Sequence, residues 1–133
     1  MGKIIIGFTG TRHGMSESQK EQFIKELNNY KNIDFLHGDC VGADAEAHEI
    51  VSNISGSYII IHPPVDEKHR AFCEGFSEKL PQLTHFARNR KIVDSCDLLI
   101  AAPLQDEPQQ YGGTWYTIKY AQKKKKNVII LNR

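Results

Sequence analysis

Short apolar runs and helix-like patterns alternate along the whole chain, and this alternation restricts the fold more than any other feature of the sequence. Runs rich in Ile, Val and Leu lie at residues 3–8, 33–37, 58–62, 97–103 and 127–131. Strands that are buried on both faces show continuous apolar runs, whereas half-exposed strands alternate apolar and polar residues. The sequence therefore predicts a parallel five-stranded sheet that helices cover on both faces.

The segments between these runs have helical signals. Residues Ser16 to Gln19 form a capping box ahead of apolar residues with helical spacing. Further helices are expected from residue 43 to about 53, from the Arg-Asn-Arg-Lys segment at 88–91, and from residue 113 to about 125. Residues 65–88 are the least regular part of the chain, and there we expect one or two short helices interrupted by Pro81.

The connections between strands predict their order in the sheet. Right-handed crossovers that step outward from the first strand and then return to its other side give the order 3-2-1-4-5. The expected architecture is α/β, a Rossmann-like three-layer sandwich with its switch point between strands 1 and 4. Ligands of such sheets bind beyond the carboxyl ends of the strands at the switch point. The loops that follow strands 1, 2 and 4 are therefore the expected site.

Composition limits the classes of protein that fit. With 133 residues, of which 40% are hydrophobic and 25% charged, the chain is expected to form a single domain over residues 1–133. We expect a cytoplasmic protein without membrane contact, because no run could span a bilayer and no signal peptide is recognisable. The net charge of +1 gives no broad basic surface, so nucleic-acid binding is not expected. The widely spaced Cys40, Cys73 and Cys96 indicate no disulfide framework, and neither a metal nor a resident cofactor is expected.

The loop after strand 1, TGTRHG, is a candidate contact for phosphate or ribose. It matches neither G-x-G-x-x-G nor the P-loop motif. Thr9, Gly10 and Thr11 nevertheless combine two hydroxyls with a flexible backbone, and Arg12 adds a guanidinium suited to phosphate. The alternative is that Gly10 only turns the chain and that Arg12 is solvated.

The loop after strand 2, GDCVGAD, opens a helix whose first N–H groups would favour an anion. Gly38 and Gly42 frame this loop. Asp44 lies in the first helical turn, where its carboxylate would repel a phosphate. Asp39 and Asp44 are therefore better suited to ribose hydroxyls, to a base edge, or to a structural cap.

Three cations cluster in the segment RNRK at 88–91. At the beginning of a helix, Arg88 and Arg90 would oppose the helix dipole, and a bound polyanion or acidic neighbours would account for them. The alternative is a solvated, charged turn.

The loop after strand 4 ends in Gly112, Gly113 and Thr114, which open the last helix. Backbone N–H groups and the Thr114 hydroxyl can converge there on an anion. Trp115 is expected in the core, which leaves Tyr111 or Tyr116 as the candidate for stacking on a base.

Together these motifs resemble the SLOG superfamily, which includes the DprA DNA-processing proteins and the LOG cytokinin-activating phosphoribohydrolases. The LOG pattern has an Arg-Lys pair, a strand that ends in Pro, and a Gly-Thr at a helix start, matched here by Arg90-Lys91, Pro103 and Gly113-Thr114. The GDCVGAD loop is similar to the G-G-x-x-G-x-D loop of small stand-alone members. The resemblance implies a Rossmann-like fold that binds a nucleotide or nucleotide-derived small molecule, and self-association as a homo-oligomer.

The chain departs from the LOG pattern at Thr117. LOG proteins carry a catalytic Glu three residues after the Thr of the helix start, and Thr117 cannot act as a carboxylate base or stabilise an oxocarbenium ion. Asp44 and Glu107 are the candidate replacements, although the loop around Glu107 equally fits a solvated lid.

The sequence therefore leaves two main functions open. One is binding, for sensing or sequestration, of a nucleotide-derived ligand such as an ADP-ribose-like compound. The other is hydrolysis of the N-glycosidic bond of a nucleoside monophosphate or related nucleotide, with Asp44 or Glu107 as the acid. Handling of single-stranded DNA, as in DprA, is a third function that the charge balance disfavours.

Overall fold

Strands and helices alternate along the chain as the apolar pattern predicts. A computed structural model describes residues 3–133. Its strands are β1 (Lys3–Gly10), β2 (Asn32–His37), β3 (Tyr58–Ile61), β4 (Glu78–Lys79), β5 (Leu98–Ala102) and β6 (Asn127–Ile130). Its helices are α1 (Glu17–Leu27), α2 (Ala43–Ser52), α3 (His85–Ser95) and α4 (Gly113–Lys123). None of the helices between residues 3 and 133 has the length and apolar character needed to cross a membrane.

The sheet is parallel throughout and has the order β4-β3-β2-β1-β5-β6. The predicted order of the five apolar strands is confirmed, and so is the Rossmann-like α/β class. The sheet has six strands and not five, because β4 pairs with the outer edge of β3. This sixth strand is only Glu78–Lys79, and two exposed charged residues give no apolar signal from which a strand can be predicted.

Helices cover both faces of the sheet. On one face, Phe8 of β1 packs against Phe23 of α1 and Phe35 of β2, with ring centroids 5.3 and 5.9 Å away. The other face carries a cluster that includes Ile92 of α3 and Leu99 of β5. Trp115 packs beside this face against Ala101 and Ile118, and its predicted place in the core is confirmed.

Helix α3 begins earlier than the sequence predicts. The Thr84 side chain caps it by accepting a hydrogen bond from the Ala87 amide, so the first helical residue is His85 and not Arg88. Arg88 and Arg90 therefore lie within the helix and not in its exposed first turn. Contrary to the prediction from the sequence, these two cations do not oppose the helix dipole, because the dipole field is concentrated at the end of the helix.

Residues 65–84 form no helix, contrary to expectation. The segment runs over the carboxyl edge of the sheet, where the Val65 amide donates to the Leu83 carbonyl (2.8 Å) and the Ala71 amide to the Asp39 carbonyl (2.7 Å). These hydrogen bonds join residues that are far apart in sequence. Local periodicity therefore contains no sign of them.

Candidate functional site

A cleft of about 500 Å³ opens beyond the carboxyl ends of the strands, at the switch point between β1 and β5. The predicted residues that line it are Thr9, Gly10, Thr11, Arg12, Gly38, Asp44, Arg88, Gly113 and Thr114. The predicted residues outside its lining are Asp39, Gly42, Arg90, Gly112 and Glu107. The cleft has the size and the position that α/β proteins use for small-molecule ligands.

Thr11 fixes the loop that follows β1. Its amide donates to the Ala102 carbonyl (3.0 Å), and its carbonyl accepts from the Gly14 and Ala43 amides (3.2 and 2.9 Å). Its hydroxyl oxygen accepts from the His13 amide (3.1 Å), which leaves the hydroxyl proton to be donated. The loop is therefore a rigid part of the cleft wall.

Arg12 lies at the exposed mouth of the cleft. Its Nη1 lies 3.2 Å from His69 Nε2, and this contact joins the loop after β1 to the segment that crosses the sheet edge. Arg12 is exposed and lines the cleft, so its remaining guanidinium donors are accessible to an anion.

Asp44 is the one carboxylate among the residues that line the cleft. Its Oδ2 accepts from the Gly38 and Cys40 amides (3.1 and 3.3 Å), whereas the buried Oδ1 has no hydrogen-bond partner. Burial raises the pKa of Asp44 to about 6, although the nearby Arg88 guanidinium acts in the opposite direction. Asp44 is thus both the structural cap of the loop and a group with one oxygen left to bond.

Asp39 lies behind the cleft and organises the segment that crosses the sheet edge. Its Oδ2 pairs with Arg70 Nε (2.7 Å), and its Oδ1 accepts from the Cys73 amide (2.8 Å). The residue is fully buried, with a left-handed φ of 57°. Both carboxylate oxygens are engaged, so the structure does not bring Asp39 to a ligand in the cleft.

Arg88 is buried, and every N–H group of its guanidinium faces an acceptor. Nη1 donates to the Gly38 and His62 carbonyls, the latter at 3.0 Å, and Nε donates to Asn89 Oδ1 at 2.7 Å. Nη2 has only weak acceptors, His85 Nδ1 at 3.3 Å and Cys40 Sγ at 3.6 Å. Arg88 therefore joins the ends of β2 and β3 to α3, and only its Nη2 can be shared with a ligand.

Arg90 lies outside the lining of the cleft. Its Nη1 donates to the Tyr116 hydroxyl at 2.9 Å, which joins α3 to α4. Arg88 lines the cleft and Arg90 does not, so Arg90 is not among the residues that face a ligand there.

The N-terminus of α4 opens into the cleft without a side-chain cap. Gly112 is its N-cap residue and offers no side chain, while Gly113 and Thr114 line the cleft. The first N–H groups of a helix have no partner within the helix, and they carry its positive partial charge. This end of α4 is therefore a preformed position for an anion.

The loop between β5 and α4 is anchored and is not a free lid. Trp115 Nε1 donates to the Gln105 carbonyl (3.1 Å), and Lys119 Nζ donates to the Gln109 carbonyl (2.6 Å). Asp106 Oδ1 accepts from the Arg133 amide at 2.8 Å. Glu107 is exposed between these anchors and does not line the cleft.

Thr117, the residue that the resemblance matches to the LOG glutamate, is buried in α4. Its Oγ1 donates back to the Gly113 carbonyl at 2.8 Å. Neither its chemistry nor its position provides a carboxylate to the cleft.

A second group of polar side chains lies behind the cleft, where ligating atoms of His37, His48 and Cys73 lie within 4.8 Å of one another. His37 Nδ1 accepts from the Asp39 amide, its Nε2 meets His48 Nδ1 at 2.9 Å, and His48 Nε2 meets the Glu74 carbonyl at 2.6 Å. These partners place one proton on each Nε2, so both rings are neutral and fully hydrogen-bonded. Burial and the neighbouring His48 also lower the pKa of His37 well below its ordinary value. The group therefore has a structural explanation that needs no metal.

The cleft also contains side chains that the sequence did not single out, namely Cys40, His69, His85 and Phe86. Burial and the nearby Asp44 raise the pKa of Cys40 to about 11, so its thiol stays protonated. His85 and Phe86 are the first two residues of α3, directly after the Thr84 cap. Thr84 is the sequence signal that could have placed the beginning of this helix, and these two side chains, at the cleft. His69 lies in the irregular segment, where no local pattern pointed to it.

Comparison with known proteins identifies the fold. No protein-family model matches the sequence, and no curated protein sequence matches it. The molybdenum cofactor binding protein from Rippkaea orientalis superimposes with a TM-score of 0.73 at 23% identity, over 98% of this chain and 77% of that one. The Moco carrier protein from Chlamydomonas reinhardtii gives a TM-score of 0.65 at 20% identity, over 98% and 76% of the two chains.

The chain shares the fold of these proteins. At such low identity, the likeness concerns the arrangement of strands and helices and does not extend to a ligand.

Proposed function

We propose that this chain binds a phosphorylated, nucleotide-like small molecule in the cleft at the switch point, in order to sense, sequester or carry it. The observation that carries the proposal is the uncapped N-terminus of α4, whose Gly113 and Thr114 line the cleft. Free N–H groups at this position suit a phosphate better than any neutral group.

The charges around the cleft support an anionic ligand. Arg12 lies at the mouth and the Nη2 of Arg88 lies within, whereas Asp44 is the only lining carboxylate. Asp44 also offers an unpartnered oxygen, which suits a hydroxyl or N–H group of the same ligand. A phosphate and a hydrogen-bond donor on one molecule are the features of a nucleotide.

The structural neighbours support this ligand class. Both are described as proteins that bind or carry the molybdenum cofactor, a nucleotide-like pterin derivative. The cleft of this chain fits such a compound in volume and has an anion position, so we include phosphorylated pterins beside purine nucleotides and ADP-ribose. We also propose that the chain is a SLOG protein, because the matched Gly113-Thr114 lies in the cleft.

Gly113→Asp is the sharpest test of the phosphate position. A Cβ at residue 113 would meet nothing closer than Asn89 Nδ2 at 3.9 Å, so a side chain fits. A carboxylate there interacts favourably with the helix dipole and stabilises the protein by about 0.3–1 kcal/mol, but it repels a bound phosphate. By calorimetry with adenosine monophosphate, ADP-ribose and a phosphorylated pterin, we expect at least about a tenfold loss of affinity for whichever compounds bind.

Gly113→Asn is the matched control, since it has the same size without the charge. We expect its affinity to stay within about threefold of the unsubstituted protein. The Gly113→Asp protein should have an unchanged or higher urea midpoint, which excludes unfolding as the cause. Equal losses of affinity in the two variants would indicate a steric effect. Unchanged affinity in both variants would contradict the binding of the phosphate at the N-terminus of α4.

A second candidate function is cleavage of an N-glycosidic bond, and the position of Asp44 favours it over the other acids. Asp44 lines the cleft and has a pKa raised to about 6, whereas Glu107 lies outside. A general acid works in its protonated form, so we expect release of free base to fall as the pH rises through about 6. Chromatography of incubated nucleoside monophosphates measures that release. Base release that persists in Asp44→Asn would rule out Asp44 as the acid.

A further inference from the structure

Phe86 is an exposed aromatic ring on the wall of the cleft. It is the second residue of α3, and 52% of its surface is exposed although it lines the cleft. A large apolar ring beside polar groups gains free energy when another flat, apolar surface covers it.

Neighbouring side chains hold this ring in place. The ring centroids of Phe86 and Tyr116 are 4.4 Å apart with a tilt of 46°, so Tyr116 supports part of the Phe86 ring. The Tyr116 hydroxyl is fixed by Arg90 Nη1 at 2.9 Å. The rest of the Phe86 ring remains open to the cleft in a preorganised orientation.

The ring lies beside the proposed phosphate position. Tyr116 follows Gly113 by three residues, about one helical turn or ~5 Å along the axis of α4. A Cβ at Gly113 would be 3.9 Å from Asn89 Nδ2 of α3, so the first turn of α4 lies beside the N-terminal half of α3. The anion position and the exposed ring therefore share one wall of the cleft.

We propose that Phe86 is the ring-binding surface of the cleft and stacks on the planar heterocycle of a ligand whose phosphate is held by α4. The inference rests on the proposed function and narrows its ligand class to phosphates that carry a flat heterocyclic ring, such as a purine or pterin. Tyr116 and Arg90 act through Phe86 as positioning residues. Tyr111, which is 82% exposed and outside the cleft lining, is not the stacking residue.

The test compares ring-bearing and ringless phosphates on the same variants. Calorimetric titrations use adenosine monophosphate, a phosphorylated pterin and ribose phosphate. We expect Phe86→Leu to weaken binding of the ring-bearing compounds that bind by about tenfold and to leave ribose phosphate unchanged. Phe86→Tyr retains the ring and is expected to bind as the unsubstituted protein does.

Phe76→Leu is the matched control, because Phe76 is an exposed phenylalanine (39%) outside the cleft lining. We expect no change in any affinity from this substitution. If the unsubstituted protein binds nucleotides and Phe86→Leu binds them equally well, the stacking proposal is wrong and the proposed function stands. If no phosphorylated compound binds the unsubstituted protein, the proposed function itself fails. A fall in molecular mass by light scattering in Phe86→Leu, without a change in affinity, would assign the ring to a contact between copies of the chain.

Discussion

Gly42→Ala is expected to destabilise the protein by about 3–5 kcal/mol. Gly42 has a left-handed φ of 87°, and a Cβ there would lie 2.3 Å from the carbonyl carbon and oxygen of Arg12. The Arg12 backbone has little freedom to retreat, because the Ala43 amide donates to the adjacent Thr11 carbonyl at 2.9 Å. Urea unfolding, followed by circular dichroism, measures the loss in the free energy of unfolding.

Gly56→Ala separates the two causes of this loss. Gly56 has a nearly equal φ of 82°, but a Cβ there would have no atom within 4 Å. We expect this control to lose only about 1–2 kcal/mol, the backbone cost of the left-handed conformation. Equal losses in the two variants would show that the loop after β1 yields to the new methyl group, and would contradict a rigid junction between the first two cleft loops.

Arg88→Met is expected to lower the free energy of unfolding by about 3 kcal/mol or more. Met resembles Arg in helix propensity and side-chain length, so the loss comes from the missing guanidinium. The guanidinium bonds the Gly38 and His62 carbonyls in the interior. Without it, two buried acceptors lose their partners, at about 1–3 kcal/mol each. The same urea experiment measures the effect, and the slope of the transition checks that unfolding remains two-state.

Arg90→Met in the same helix is the control. Arg90 is only half-buried, and within residues 3–133 its side chain hydrogen-bonds to the Tyr116 hydroxyl. We expect a loss below about 1 kcal/mol, as for other exposed polar contacts. A loss in Arg90→Met as large as that in Arg88→Met would overturn the assignment of Arg88 as the buried link between β2, β3 and α3.

The sequence was informative about the site wherever a local rule applied. The capping box from Ser16 to Gln19 is present in the structure, and Gly113 and Thr114 do open the last helix at the cleft. It was uninformative wherever the decisive contact was distant. Asp39 is paired with Arg70, 31 residues further along, and nothing near either residue indicates this.

The charged segment RNRK shows the same limit. Its cations are close together in the sequence but have different neighbours once the helix forms. Thr84 sets where α3 begins, and about 200° of rotation separates Arg88 from Arg90. One arginine is buried against backbone carbonyls, and the other contacts Tyr116 on the adjacent helix.

The sequence by itself determined the alternation of strands and helices, the parallel sheet, the order of its five apolar strands and the edge at which a cleft forms. These features follow from hydrophobic burial and chain connectivity. Both can be recognised within short stretches of sequence, from the periodicity of apolar residues and the length of each apolar run. Only the tertiary structure decided which polar groups face the cleft and which hold it together. Hydrogen bonds to buried carbonyls and carboxylates depend on directions and on distant partners, so the roles of Asp39, Asp44, Arg88 and Phe86 emerged only when the segments packed.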